Sequence, residues 1–170
     1  MVRIRDLQFQ RLGPDRKVSI RQGLADCAGA MQTASGKLSL GTACSGSDVL
    51  LHIVSDLLVP LWSSTFGVRL EVEHTFACEL VDWKREWILA HFNPRFLFED
   101  LLLLGEDTAV DIRSGKSQSI PSVVGFACGI ECDTLSGLSY NQDVGCVETA
   151  TGKTGTTFEG CRRFVERHQP

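Results

Sequence analysis

The chain has 170 residues, of which 43% are apolar and 22% charged, with a formal net charge of −4. That length suits a single hydrophobic core. The acidic balance excludes a global attraction for nucleic acid and leaves only local basic clusters, Arg3/Arg5/Arg11 and Arg162/Arg163/Arg167, each of which reads first as a solvated face.

Residues 1–36 mix charge, glycine and small residues without clear periodicity and read as an arm or irregular lead-in to a domain over 37–170. The pattern changes at Lys37. Lys37–Ala43 reads as a strand, and Asp48–Trp62 as a helix carrying Val49, Leu50, Ile53, Val54, Leu57 and Leu58. Leu70–Glu79 is a second strand, with Leu70, Val72, His74, Phe76 and Cys78 on alternate positions. A helix over Val81–Phe92 stops at Asn93-Pro94. Arg95–Asp100 is a short third strand, Thr108–Ser119 polar connecting structure, and Ser122–Cys128 a buried fourth strand. Tyr140–Thr156 reads as a loop, followed from near Thr157 by a last helix with Phe158, Cys161 and Val165 on one side. Strand and helix in this alternation predict an α/β fold with a doubly wound, mostly parallel sheet. The sheet would be small, and a further strand would be expected after the last helix, so the fold reads as incomplete at the C-terminus.

The seven cysteines include no pair with zinc-ligand spacing. Cys44, Cys78, Cys128 and Cys132 lie in or beside apolar runs, as free thiols do in a reducing compartment. No apolar stretch has the length of a signal peptide core at the N-terminus or of a membrane span, so an intracellular, soluble protein is expected.

The candidate site lies at the strand ends, where open α/β sheets present ligands. Leu40, Gly41, Thr42, Ala43, Cys44, Ser45 and Gly46 form a glycine-rich turn that opens into a helix, which lets backbone approach a ligand closely. Glu79 ends the second strand, where a carboxylate can accept from ribose hydroxyls; its plainer role is a charge at a helix N-terminus. Asp100 ends the third strand, within reach of an adenine amino group, or is a plain loop acid. Trp83 could stack on adenine or pack in the core, and core packing is the reading for Trp87. Past the fourth strand, Gly129-Ile130-Glu131-Cys132-Asp133-Thr134-Leu135-Ser136 offers a nucleophilic thiol, with Cys128 as its rival.

Over roughly Leu38–Pro170 these residues resemble the cytosine-5 DNA methyltransferase family. Gly41-Thr42-Ala43-Cys44-Ser45-Gly46, led by Leu40, resembles its S-adenosylmethionine (SAM) loop F-x-G-x-G. Phe76-Ala77-Cys78-Glu79 is similar to the strand bearing the ribose-binding acid, and Phe98-Glu99-Asp100 to the acid that contacts adenine. The stretch Gly129–Ser136 aligns with G-F-P-C-Q-x-F-S, which makes Cys132 the catalytic thiol by resemblance. The resemblance implies a Rossmann-like methyltransferase fold, SAM as cofactor, DNA as partner and, in a eukaryote, a nuclear location. It also implies the chemistry: a thiolate adds to C6 of a flipped cytosine, so that C5 can take the methyl group. Glu131 and Asp133 depart from the family's proline and glutamine, placing carboxylates beside Cys132. The family's later Glu-Asn-Val strand and target-recognition region have no counterpart here. A chain inactive by itself, with self-association or a missing C-terminal half, is therefore expected. The alternatives are a non-catalytic SAM-binding or interaction module and an RNA cytosine-5 methyltransferase.

Overall fold

The structure, a computed structural model, describes residues 37–170 except 47, 67–70, 133, 137–139, 141 and 144, and before them only 13–15, 18, 22 and 26. Arg3, Arg5, Arg11, Leu70 and Asp133 lie outside the described residues, as does most of the lead-in.

From Lys37 the elements are β1 (Lys37–Ala43), α1 (Val49–His52), a π-helical stretch (Ile53–Leu58) and α2 (Val59–Phe66). There follow β2 (Glu71–Cys78), α3 (Asp82–His91), β3 (Phe96–Phe98) and a 3-10 turn (Leu101–Gly105). The remainder is β4 (Thr108–Asp111), β5 (Lys116–Ser119), β6 (Gly125–Cys128), α4 (Cys146–Thr149) and α5 (Gly152–His168).

Four strands make a wholly parallel sheet in the order β3-β2-β1-β6. The chain winds outward from β1 to β3, then returns to the far side of β1. That reversal defines a doubly wound α/β sheet and puts its ligand crevice at the carboxyl ends of β1 and β6. On one face Leu38, Leu40, Ala77 and Leu97 pack against Leu51, Val54, Ile88 and Phe92. On the other, Ala43, Phe76, Cys78 and Phe98 are covered by Leu101, Leu104 and Phe164.

The β1–β2 register explains one departure from the sequence pattern. Leu40 lies opposite His74 but Gly41 lies opposite Phe76, so Thr75 is an extra, bulged residue. The alternation that put Val72, His74, Phe76 and Cys78 on one face breaks there. His74 meets the Phe92 ring edge-on at 6.1 Å, while Phe76 and Cys78 enter the opposite core. Gly41 permits this, because a Cβ on it would stand 2.3 Å from the Phe76 ring.

Other expectations are corrected. Of the expected helical stripe, only Val54 is buried and Leu58 partly so, whereas Val49, Leu50, Ile53 and Leu57 are exposed; Leu51 and Trp62, outside the stripe, are buried instead. Thr108–Ser119 is not irregular but an antiparallel hairpin of β4 and β5. It docks on β3 through buried Asp111, which accepts from Leu97 N–H at 2.9 Å. The fourth strand is shorter than expected and half-buried, as suits a sheet edge. The loop expected to Thr156 contains α4 and the start of α5. The buried face of α5 carries Thr154, Gly155, Gly160 and Phe164, not Phe158 and Val165, which are exposed. Glycines let α5 approach closely: a Cβ on Gly160 would meet Leu101 at 2.7 Å. Arg162, Arg163 and Arg167 pair with Glu159, Glu166 and Asp107, a solvated and neutralised face as expected. Among the described residues, no helix is long and apolar enough to cross a membrane.

Candidate functional site

The turn after β1 is held in an uncommon backbone. Cys44 (φ 49°), Gly46 (φ 66°) and Asp48 (φ 50°) all occupy the left-handed region, which strains the two non-glycine residues. Two sets of contacts hold them there. Cys44 N–H donates to the Cys78 carbonyl at 2.8 Å, tying the turn to β2. Asp48 is fully buried, and one carboxylate oxygen accepts from Ser45 Oγ. Its other oxygen has no hydrogen-bond partner among the described residues and faces His74 Nε2 at 3.8 Å, and that nitrogen is 3.0 Å from Thr42 Oγ1.

Burial raises the Asp48 carboxyl to about 6, opposed by the neighbouring Thr42 hydroxyl and helped by the charge of Glu79. Burial also lowers His74 to about 4. At neutral pH the pair is therefore a carboxylate beside a neutral imidazole. Asp48 and His74 were missed in the sequence. Their signals were an acid directly behind the glycine turn and a histidine within an apolar strand.

Glu79 ends β2 with 3% of its surface exposed. Its Oε1 accepts from Val81 N–H at 3.2 Å, the helix-start role expected of such an acid. Its Oε2 is buried with no partner among the described residues. Asp100 is half-buried, and its Oδ1 caps the 3-10 turn by accepting from Leu102 N–H at 2.9 Å. Trp83 is 66% exposed, so it does not pack in the core. Trp87 does not either: it lies stacked on His91 at 3.7 Å between ring centroids.

The thiol-bearing segment enters from β6. Gly129 N–H donates to the Ala43 carbonyl at 2.9 Å, and a Cβ on Gly129 would stand 2.5 Å from the Cys44 carbonyl oxygen. Only glycine allows this approach. Cys132 follows on an exposed turn, its carbonyl accepting from Leu135 and Ser136 N–H groups. The turn is anchored to the last helices. Thr134 Oγ1 is 3.3 Å from the buried Cys146 sulfur, and Thr134 N–H donates to buried Thr154 at 3.4 Å. Cys128 lies within β6, half-buried. The Cys44 thiol, in the glycine turn, feels the charges of Glu79 and Glu131. Burial raises the Cys78 thiol, and the charge of Asp100 adds to the rise. No group of three His, Cys, Asp or Glu side chains suited to a metal ion occurs among the described residues.

A parallel sheet with a reversal at β1, and a strained glycine turn leading from β1 into a helix, defines a Rossmann-like domain of the methyltransferase type. No protein-family model matches the chain. It is similar to the DNA (cytosine-5-)-methyltransferase DMT5 of Cryptococcus neoformans var. grubii, 32% identical over 136 residues. That match covers 79% of this chain and 6% of the relative, so the chain spans a small part of the relative's length. Over the matched stretch the chain belongs to the cytosine-5 DNA methyltransferase family that its motifs resemble.

Proposed function

We propose that this chain forms the cofactor-binding and nucleophile-bearing part of a SAM-dependent DNA cytosine-5 methyltransferase. The observation that carries the reading is the buried, unpartnered Oε2 of Glu79 beside the glycine turn. A buried carboxylate oxygen without a donor is costly, and a ribose hydroxyl is a donor of the right kind. The backbone of Leu40, Gly41, Thr42, Ala43, Cys44, Ser45 and Gly46 would line the amino-acid end of SAM, and Asp100 the adenine. Bound SAM would supply an electrophilic methyl group on its sulfonium.

The chain's own chemistry centres on Cys132. Its exposed turn lets the thiol meet a base flipped out of a duplex, and its thiolate would add to C6 of cytosine. DNA as partner goes with an intracellular, and in a eukaryote nuclear, location. One observation favours a second reading, a SAM-binding module without turnover. Exposed Glu131 puts a carboxylate next to Cys132, where it opposes an incoming phosphate.

Calorimetry with SAM tests the first reading. Binding is expected, and Glu79→Ala should weaken it by about 1–3 kcal/mol, the worth of a hydrogen bond to a charged group. Folded protein that gives neither heat nor thermal shift with SAM would end it. A cytosine analogue that traps the C6 adduct separates the two readings in a DNA-bound assembly. The enzyme reading expects trapping by wild type and Cys128→Ser and none by Cys132→Ser.

A further inference from the structure

Asp48 stands at the start of α1 yet does not cap it. Its side chain accepts no hydrogen bond from the free backbone N–H groups of that helix, although an aspartate in this place ordinarily does so. The carboxylate instead points inward and is fully buried. Ser45 Oγ donates to one oxygen, and the other lies 3.8 Å from His74 Nε2. His74 and Thr42 are buried with it. The surrounding sheet face is apolar, packed with Leu38, Leu40, Leu51 and Phe92, and the Phe92 ring meets His74 edge-on. A carboxylate in such surroundings is costly unless something holds it.

The neighbours of the His74 ring decide which nitrogen carries its proton. Burial lowers His74 to about 4, so near neutral pH the ring is uncharged and carries one N–H. Two oxygens approach Nε2, Thr42 Oγ1 at 3.0 Å and Asp48 Oδ2 at 3.8 Å. Nδ1 is buried with no partner among the described residues. A proton on Nδ1 would leave that N–H without an acceptor and aim the Nε2 lone pair at a carboxylate. A proton on Nε2 is donated to Thr42 Oγ1 and turns the positive end of the N–H toward Asp48.

We propose that His74, as its Nε2–H tautomer, is a positioning residue for the glycine turn: it holds the Asp48 carboxylate inward, and Asp48 holds Ser45. Without that N–H the carboxylate turns back to the helix N–H groups or to water, and Ser45 loses its acceptor. Cys44 and Asp48 then relax from their left-handed backbone. The consequence for SAM rests on the proposed cofactor reading; the consequence for the turn does not.

The test uses the full chain. Ring-nitrogen NMR of wild type near neutral pH reads the tautomer, the His74 signal being the one that His74→Gln removes. A proton on Nε2 is expected, and a proton on Nδ1 would overturn the proposal whether or not any variant folds. Glutamine sets its amide nitrogen close to the place of Nε2, whereas asparagine reaches only to that of Nδ1. Backbone amide signals of Ser45 and Gly46, recorded without SAM, should therefore move in His74→Asn and stay near wild type in His74→Gln. Equal shifts in the two variants, or none in either, would also overturn it.

Calorimetry then ties the turn to the cofactor. SAM affinity should fall roughly tenfold in His74→Asn, the order of one hydrogen bond to a charged group, and less than about threefold in His74→Gln. Ser45→Ala should weaken binding in wild type but add little in the His74→Asn background, because both act through Asp48. Full additivity would overturn the action of His74 through Asp48. Wild type that binds no SAM would fail the cofactor reading alone, since the NMR signals judge the positioning separately.

Discussion

Asp48 and His74 stand next to each other with opposite responses to pH. The folded pKa of Asp48, about 6, lies above its unfolded value. Its contribution is therefore fully present below an unfolded pKa of about 3.9 and is lost as pH rises through 6, about 3 kcal/mol in all. His74 is depressed to about 4. Its contribution is present above an unfolded value of about 6.5 and is lost as pH falls through 4, again by about 3 kcal/mol. Between pH 4 and 6 the two slopes oppose and nearly cancel. Asp48→Asn removes one of them, so thermal stability of the variant should fall as pH drops from 6 to 4 while wild type stays nearly flat. Parallel melting profiles for the two proteins would refute this. The same pair marks the limit of reading residues from the sequence. What was legible is the placement of Leu40–Gly46 and Glu79 at strand ends, and of Cys132 just past β6, where position alone suggests contact with a ligand. The meeting of Asp48 with His74 depends on the bulge at Thr75, which turns His74 away from Phe76. Simple alternation carries no sign of that bulge.

Among the elements, β1, β2 and α3 were legible because apolar periodicity and the Asn93-Pro94 stop coincide with burial. The hairpin of β4 and β5 was not. Lys116–Ser119 is polar, and it is held by its pairing to β4, itself pinned to β3 by Asp111. The start of α5 was hidden for a related reason. Gly152-Lys153-Thr154-Gly155 has poor helix propensity, yet Thr154 is fully buried and Gly155 would bring a Cβ to 2.1 Å from the Cys146 carbonyl oxygen. Close packing through small residues leaves no apolar stripe to read. The contact that joins the two halves of the site is of the same kind. Gly129→Ala must push β6 away from the Cys44 carbonyl. It should cost about 1–3 kcal/mol as an overpacked position. The variant should also lose SAM affinity more than the distant control Gly115→Ala loses it. A Gly129→Ala protein with wild-type melting and wild-type affinity would show that the approach of β6 to the turn does not matter.

For the molecule as a whole, charge and sheet edges decide what the chain can do unaided. Its net charge is −4, and the arginines of α5 are occupied by Glu159, Glu166 and Asp107. Extruding a cytosine costs a few kcal/mol, which contacts to DNA elsewhere must offset. Exposed Glu131 beside the thiol works against those contacts. On the other side of the ledger of forces, β6 is an edge strand paired only to β1 among the described residues, and Gly125–Cys128 contains no charge or proline to blunt it. Such an edge accepts another strand, from a second copy or from further polypeptide of the kind that fills the rest of the DMT5 relative. The chain by itself is therefore expected to bind SAM, to self-associate with rising concentration, and to transfer no methyl group above background. Sedimentation over a range of concentrations measures the association. Incubation with tritiated SAM and cytosine-rich duplex measures transfer. A monomer at every concentration that also places label in 5-methylcytosine would refute both expectations.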